Sequence, residues 1–129
     1  MKEAIGDAGL TPADINFVNA HGTSTRKGDL TEIECLREVF GRHLEKIPIS
    51  SNKSQIGHSL GASAAIEAAL SIEGMRQGLL LPTINHIPDP EFSDVDVVAH
   101  TARKYSHEFV LSNAFGFGGT NCCLVLKGM

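Results

Sequence analysis

Two histidines occupy matching places in this 129-residue sequence, each just past a short apolar run and beside glycine and hydroxyl residues. His21 opens His21-Gly22-Thr23-Ser24-Thr25 and follows the apolar run from Ile15 to Ala20. His58 lies in Ser51-Asn52-Lys53-Ser54-Gln55-Ile56-Gly57-His58-Ser59-Leu60-Gly61, between Ile47–Ile49 and an alanine-rich stretch. That second pattern predicts a strand, a polar loop and a helix start. Backbone N–H groups point out of a helix start, and its dipole favours negative charge. A neutral imidazole there has its pKa pushed down and stays a hydrogen-bond donor. Such a donor suits stabilisation of an oxyanion or enolate beside a carbonyl. Taken singly, a histidine is more often a structural hydrogen-bonder. Two at equivalent strand ends carry more weight, because the ends of parallel strands converge on one crevice.

Other residues sort around this pair. Lys53 alone reads as a solvated loop lysine. Beside His58 and Glu67 it would fix a histidine's tautomer or pKa. Glu67 lies on a mostly apolar helix face, so a paired, buried carboxylate is expected. The stretch Gly116-Phe117-Gly118-Gly119 matches no phosphate-loop pattern. It reads as a tight turn with positive φ, or as a hinge that lets Phe115 and Phe117 swing or pack against an acyl chain. Cys35, Cys122 and Cys123 read as buried small apolar residues, and none is marked as a nucleophile. A rival constellation is Gly57-His58-Ser59-Leu60-Gly61, which fits the G-x-S-x-G elbow of serine hydrolases and acyltransferases. Asp94 or Asp96 and then His100 or His107 follow it in the right chain order. Against it, Asn52 to Gln55 separate the strand from Ser59, and the chain is short for that fold. The elbow also leaves His21-Gly22-Thr23 and the glycine turn unexplained.

The elements that would position these groups follow from periodicity. Met1–Ala8 predicts a helix stopped by Gly9, with almost no lead-in, as if the sequence begins part-way through an element. Ile15–Ala20 predicts a strand. A second helix is expected with Asp29 as N-cap and Glu32 closing a capping box. Its buried stripe would be Leu30, Ile33, Leu36, Val39 and Phe40, and Gly41 its stop. Ile47–Ser50 is the next strand, and a helix runs from about Ser59 to Gln77 with Gly78 as its stop. That helix is apolar nearly all round and rich in small residues. It is therefore expected to be buried on several sides, partly by surface outside this chain. Val95–Val98 predicts an edge strand, Phe109–Asn113 and Cys122–Leu126 two more. The order fits one α/β layer with a mixed sheet and helices on its faces.

Length suits one domain, residues 1–129. A net charge of −4 argues against general nucleic-acid or lipid-surface binding. No apolar run approaches the ~20 residues that cross a membrane. The start carries no signal-peptide apolar core. An odd number of cysteines without metal-ligand spacing predicts reduced thiols, no metal and a cytoplasmic setting.

Three segments together resemble the β-ketoacyl-[acyl-carrier-protein] synthases. They are Asn19-Ala20-His21-Gly22-Thr23-Ser24-Thr25, Ser51-Asn52-Lys53-Ser54-Gln55-Ile56-Gly57-His58, and Asn113-Ala114-Phe115-Gly116-Phe117-Gly118-Gly119-Thr120-Asn121. The likeness is to the C-terminal half, in fatty-acid synthases of type II and in polyketide ketosynthase domains. It implies a thiolase-like fold and decarboxylative Claisen condensation. His21, His58 and Lys53 would be catalytic, with Glu67 supporting Lys53. Thr23 and Thr25 would line the way in for the carrier's pantetheine arm, and Phe117 would gate the acyl pocket. No cofactor is implied beyond the phosphopantetheine of acyl carrier protein. The implied partners are that carrier, an N-terminal half bearing the nucleophilic cysteine, and a second copy in a homodimer. The nucleophile's context is absent here, so the chain alone is expected to be inactive in condensation. A non-catalytic partner resembling a chain-length factor is the alternative within the family.

Overall fold

The computed structural model describes residues 1–128. Five strands form one sheet: β1 (Phe17–Asn19), β2 (Pro48–Ser50), β4 (Asp96–Val97), β6 (Phe109–Phe115) and β7 (Asn121–Lys127), in the order β4-β2-β1-β6-β7. The first four lie parallel, and β7 returns antiparallel to β6 through the glycine turn. Parallel neighbours need crossover connections. Here these contain α2 (Arg26–Phe40), and then α3 (Lys53–Ile56) with α4 (Ser63–Gln77). α1 (Lys2–Asp7) precedes β1. β3 (Leu79–Leu80) and β5 (Arg103–Lys104) make a separate antiparallel ribbon that periodicity did not reveal.

The period of two along the strands decides which face each side chain joins. Val18 and Leu111, paired in register, enter a core with Ile5, Ile33, Leu36, Phe40 and Ile49 beneath α1 and α2. Their neighbours Phe17 and Val110 enter the opposite core with Leu80, Val98 and Met75. The sheet thus carries helices on both faces, as expected. β4 is an edge strand, also as expected.

Three expectations need correction. α2 begins at Arg26 with Thr25 as N-cap, three residues before Asp29, so Asp29 and Glu32 form no capping box. The Thr25 backbone is extended, and that ends the loop early. The helix expected from Ser59 is broken. α3 ends at Gly57 (φ 74), Leu60 takes φ 49, and a 3₁₀ turn over Leu60–Ala62 leads into α4. The cysteines are not buried: Cys35 and Cys122 are exposed and Cys123 is half-buried. Cys122 and Cys123 lie on an edge strand with a neighbour on one side only.

α4 turns its polar and small residues toward this chain. Ser63, Glu67, Ser71 and Gly74 are buried, whereas Ile66 and Ile72 are 38% and 45% exposed. Within the described residues the helix is therefore covered on one side. Among the described residues, no helix is long and apolar enough to cross a membrane.

Candidate active site

The C-terminal ends of β1 and β2 bring the two histidine loops together. The His21 and His58 rings stand nearly perpendicular (87°) with centroids 5.9 Å apart, and the Phe115 ring lies 5.3 Å from that of His21. Each imidazole is oriented by the main chain. The Phe115 N–H donates to His21 Nδ1 (3.3 Å). The Leu60 N–H donates to His58 Nδ1 (3.1 Å). A backbone N–H can only donate, so both Nδ1 atoms are bare and each neutral ring carries its proton on Nε2. Ser63 adds to this at His58. Its Oγ accepts the Ser59 N–H (2.9 Å), leaving its hydroxyl hydrogen for His58 Nδ1 (3.1 Å).

Burial pushes the His21 pKa down, the Lys53 and His58 charges add to that, and Glu67 opposes it. The uncharged ring is thus the form that persists at neutral pH. Lys53 Nζ lies 2.6 Å from Glu67 Oε1, with side chains only 5% and 1% exposed. Glu67 Oε2 accepts from Asn19 Nδ2 (3.1 Å), which also reaches Ser112 Oγ (3.1 Å). The expected buried pair is present. The hydrogen bonds that orient His58 come from Leu60 and Ser63, while the Lys53 charge acts on His21.

Gly22 locks the two histidine loops together. Ser51 Oγ donates to the Gly22 carbonyl (2.8 Å). Gly22 has φ 40, and a Cβ there would lie 2.6 Å from Ser51 Cβ. Gly22→Ala is expected to cost about 1–3 kcal/mol from the backbone alone and to lower the melting temperature. Pairing it with Ser51→Gly should restore part of the loss. A Gly22→Ala protein that melts like the parent would contradict this account of the loop.

Thr23 and Thr25 bring their hydroxyls to 3.3 Å near the start of α2. Phe117 sits at the tip of the glycine turn, 98% exposed, where Gly118 and Gly119 take φ 75 and 82. The rival serine site does not assemble. Asp94 is held by Arg37 (2.8 and 2.5 Å) and Asp96 by Arg103 (2.6 and 2.8 Å). The buried His107 has its Nδ1 2.9 Å from the Tyr105 carbonyl, and His100 faces His86. No group of three or more His, Cys, Asp or Glu suited to a metal ion occurs among the described residues.

Sequence reasoning missed the main-chain donors of Leu60 and Phe115, the Ser63 hydroxyl and the Ser51–Gly22 lock. Backbone donors leave no residue signature. It also missed Glu32, whose carboxylate accepts from His21 N–H (2.9 Å), Gly22 N–H (3.0 Å) and Asn113 Nδ2 (3.0 Å).

Residues 1–86, which hold both histidines, Lys53 and Glu67, match the family described as Beta-ketoacyl synthase, C-terminal domain. The chain belongs to that family. It is 44% identical over 127 residues to 3-oxoacyl-[acyl-carrier-protein] synthase 2 of Coxiella burnetii, covering 98% of this chain and 31% of that protein. The synthase 2 of Staphylococcus aureus is 42% identical over 128 residues, 98% of this chain and 32% of that one. Among solved structures, a β-ketoacyl synthase from Burkholderia phymatum superposes with a TM-score of 0.93 at 42% identity, over 100% of this chain and 31% of that chain. A ketosynthase of a type II polyketide system, solved with its acyl-carrier protein and bound to a hexaketide, gives 0.94 at 32% identity, over 99% and 31%. The β-ketoacyl synthase fold over this segment is thus the thiolase-like α/β arrangement expected from the sequence. This member spans about a third of the length of the relatives it matches, 31% and 32% of the two synthases.

Proposed function

We propose that this chain is the C-terminal catalytic part of a 3-oxoacyl-[acyl-carrier-protein] synthase that condenses malonyl-carrier with an acyl thioester in fatty-acid or polyketide synthesis. The observation that carries the proposal is the pair of bare Nδ1 atoms on His21 and His58, which leaves two Nε2–H donors in one crevice. In the reaction, the bond between the malonyl Cα and its carboxylate breaks and CO2 leaves. Its electron pair enters an enolate whose oxygen both Nε2–H groups stabilise. The enolate carbon then attacks the acyl carbonyl. A C–C bond forms, the acyl C–S bond breaks, and the cysteine leaves as thiolate. The acyl-bearing cysteine lies outside residues 1–129. Cys35 sits on α2, and Cys122 and Cys123 lie on β7, away from a helix start.

Burial keeps the His21 ring neutral, and the charge of Lys53, fixed by Glu67, adds to that. Thr23 and Thr25 line the channel for the pantetheine arm of acyl carrier protein, and Phe117 on its glycine hinge gates the acyl pocket. The carrier's phosphopantetheine is the only prosthetic group the mechanism uses. The partners are the carrier, the half with the cysteine and a second copy in a homodimer, in the cytoplasm. A second reading is a non-catalytic partner. It is favoured by likeness to the ishigamide ketosynthase/chain length factor (TM-score 0.92, 33% identity). Both histidines and the Lys53–Glu67 pair favour the enzyme.

Residues 1–129 alone, mixed with acyl-carrier and malonyl-carrier, are expected to give no β-ketoacyl product by mass spectrometry. Measurable product would overturn the assignment of the cysteine to another segment.

A further inference from the structure

Ser63 is the first residue of α4 and only 4% exposed. The N-cap of that helix, Ala62, offers no side-chain bond. The Ser63 hydroxyl serves the irregular loop before the helix instead. Its Oγ accepts the Ser59 N–H (2.9 Å) and lies 3.1 Å from His58 Nδ1. A hydroxyl has one hydrogen to give. With the Ser59 N–H on its oxygen, that hydrogen goes to the bare Nδ1, beside the Leu60 N–H at 3.1 Å. The bonds thus form a directed chain. The Ser59 N–H donates to Ser63, Ser63 donates to His58, and the His58 Nε2–H is the last donor in line. At His21 the Nδ1 takes the Phe115 N–H at 3.3 Å, and among the described residues no side chain donates to it.

From this chain of bonds we infer that Ser63 is a positioning residue that polarises the His58 ring, beyond holding its tautomer. The inference rests on the donor role proposed above for His58. The Leu60 N–H alone suffices to keep the Nδ1 bare, because it can only donate. What the hydroxyl adds is cooperativity. Donors in a chain polarise one another, and more so where the local dielectric is low. A second donor on Nδ1 draws electron density from the ring and makes the Nε2–H a stronger donor. That strength counts when charge develops on the enolate oxygen, so it acts on the transition state more than on substrate binding. The two histidines are therefore unequal donors, His58 polarised by a side chain and His21 by the main chain. Ser71 provides the contrast. It is equally buried about two turns further along α4, but its Oγ donates to the Glu67 carbonyl of its own helix (2.8 Å).

The test uses Ser63→Ala in the complete synthase that carries this segment, labelled with 15N-histidine. The kcat for malonyl-carrier decarboxylation should fall roughly 3- to 10-fold, the worth of one neutral hydrogen bond, with KM little changed. The His58 Nδ1 signal should move toward that of an unbonded imidazole nitrogen, while Nε2 keeps its proton. Ser71→Ala should leave both the rate and the signal in place. In a His58→Ala background, Ser63→Ala should cost nothing further, because its effect passes through the ring. An unmoved Nδ1 signal in a folded Ser63→Ala protein would overturn the inference. So would an equal loss of kcat with and without His58. If Ser63→Ala does not melt cooperatively, Ser63→Cys keeps a side chain of similar shape with a weaker donor. It should move the Nδ1 signal in the same direction, and an unmoved signal there would equally overturn the inference. Decarboxylation at the parent rate in His58→Ala would sink the donor role itself, while the Nδ1 signal would still judge Ser63.

Discussion

Within a complete synthase, His21→Ala and His58→Ala are each expected to slow malonyl-carrier decarboxylation by about 10²–10³-fold, the cost of one oxyanion donor. Labelled CO2 release measures this directly. The two rings share one crevice and each offers an Nε2–H. Neither variant leaves the other donor misplaced, because the bonds that orient them come from different segments, Phe115 for His21 and Leu60 with Ser63 for His58. Acyl transfer onto the cysteine should persist in both variants, since the enolate oxygen exists only in the malonyl step. Loss of acyl transfer with decarboxylation intact would assign the histidines to the wrong half of the reaction.

Breaking the Lys53–Glu67 pair should produce the largest effect on stability. Both side chains are almost fully buried, and the 2.6 Å contact lies under the site. Lys53→Met leaves the Glu67 carboxylate buried against Asn19 alone, at a cost of about 3–5 kcal/mol. The double replacement Lys53→Met with Glu67→Leu removes both charges and should recover most of that stability without recovering activity. Urea denaturation of the three proteins gives the coupling. A single replacement costing under about 1 kcal/mol would mean the pair is effectively solvated. Lys53→Met alone removes the charge that, after burial, depresses the His21 pKa, and it leaves the Glu67 charge that raises it. That pKa should then rise toward its ordinary value. As pH falls, the ring would gain its second proton earlier, so the acid limb of any residual activity should move to higher pH.

Much of the site was legible because strand ends and helix starts leave strong signals. Short apolar runs placed β1 and β2, and parallel strand ends put His21 and His58 in one crevice. The small-residue helix announced close packing, and Glu67 on it announced a buried pair with Lys53. What stayed hidden has a common cause. Glu32 serves residues ten and eleven positions earlier, a span with no periodic signature, and its spacing from Asp29 mimicked a capping box. The tautomers of both histidines depend on main-chain donors, which every residue type supplies. The Ser59 elbow looked plausible in order, but only coordinates reveal that Asp94 and Asp96 are already committed to arginines. Cys122 and Cys123 looked apolar and buried because residue type says nothing about strand order, and β7 lies at an edge.

The central claim is that this segment supplies enolate donors for an acyl chain held elsewhere. Mapping the acyl group tests it most directly. The complete synthase would be incubated with an acyl-carrier thioester, digested and analysed by mass spectrometry. The acyl adduct is expected on a cysteine outside residues 1–129, with Ser59, Cys35, Cys122 and Cys123 unmodified. An adduct on Ser59 would restore the hydrolase, and one on any of the three cysteines would contradict the division of labour proposed for this chain.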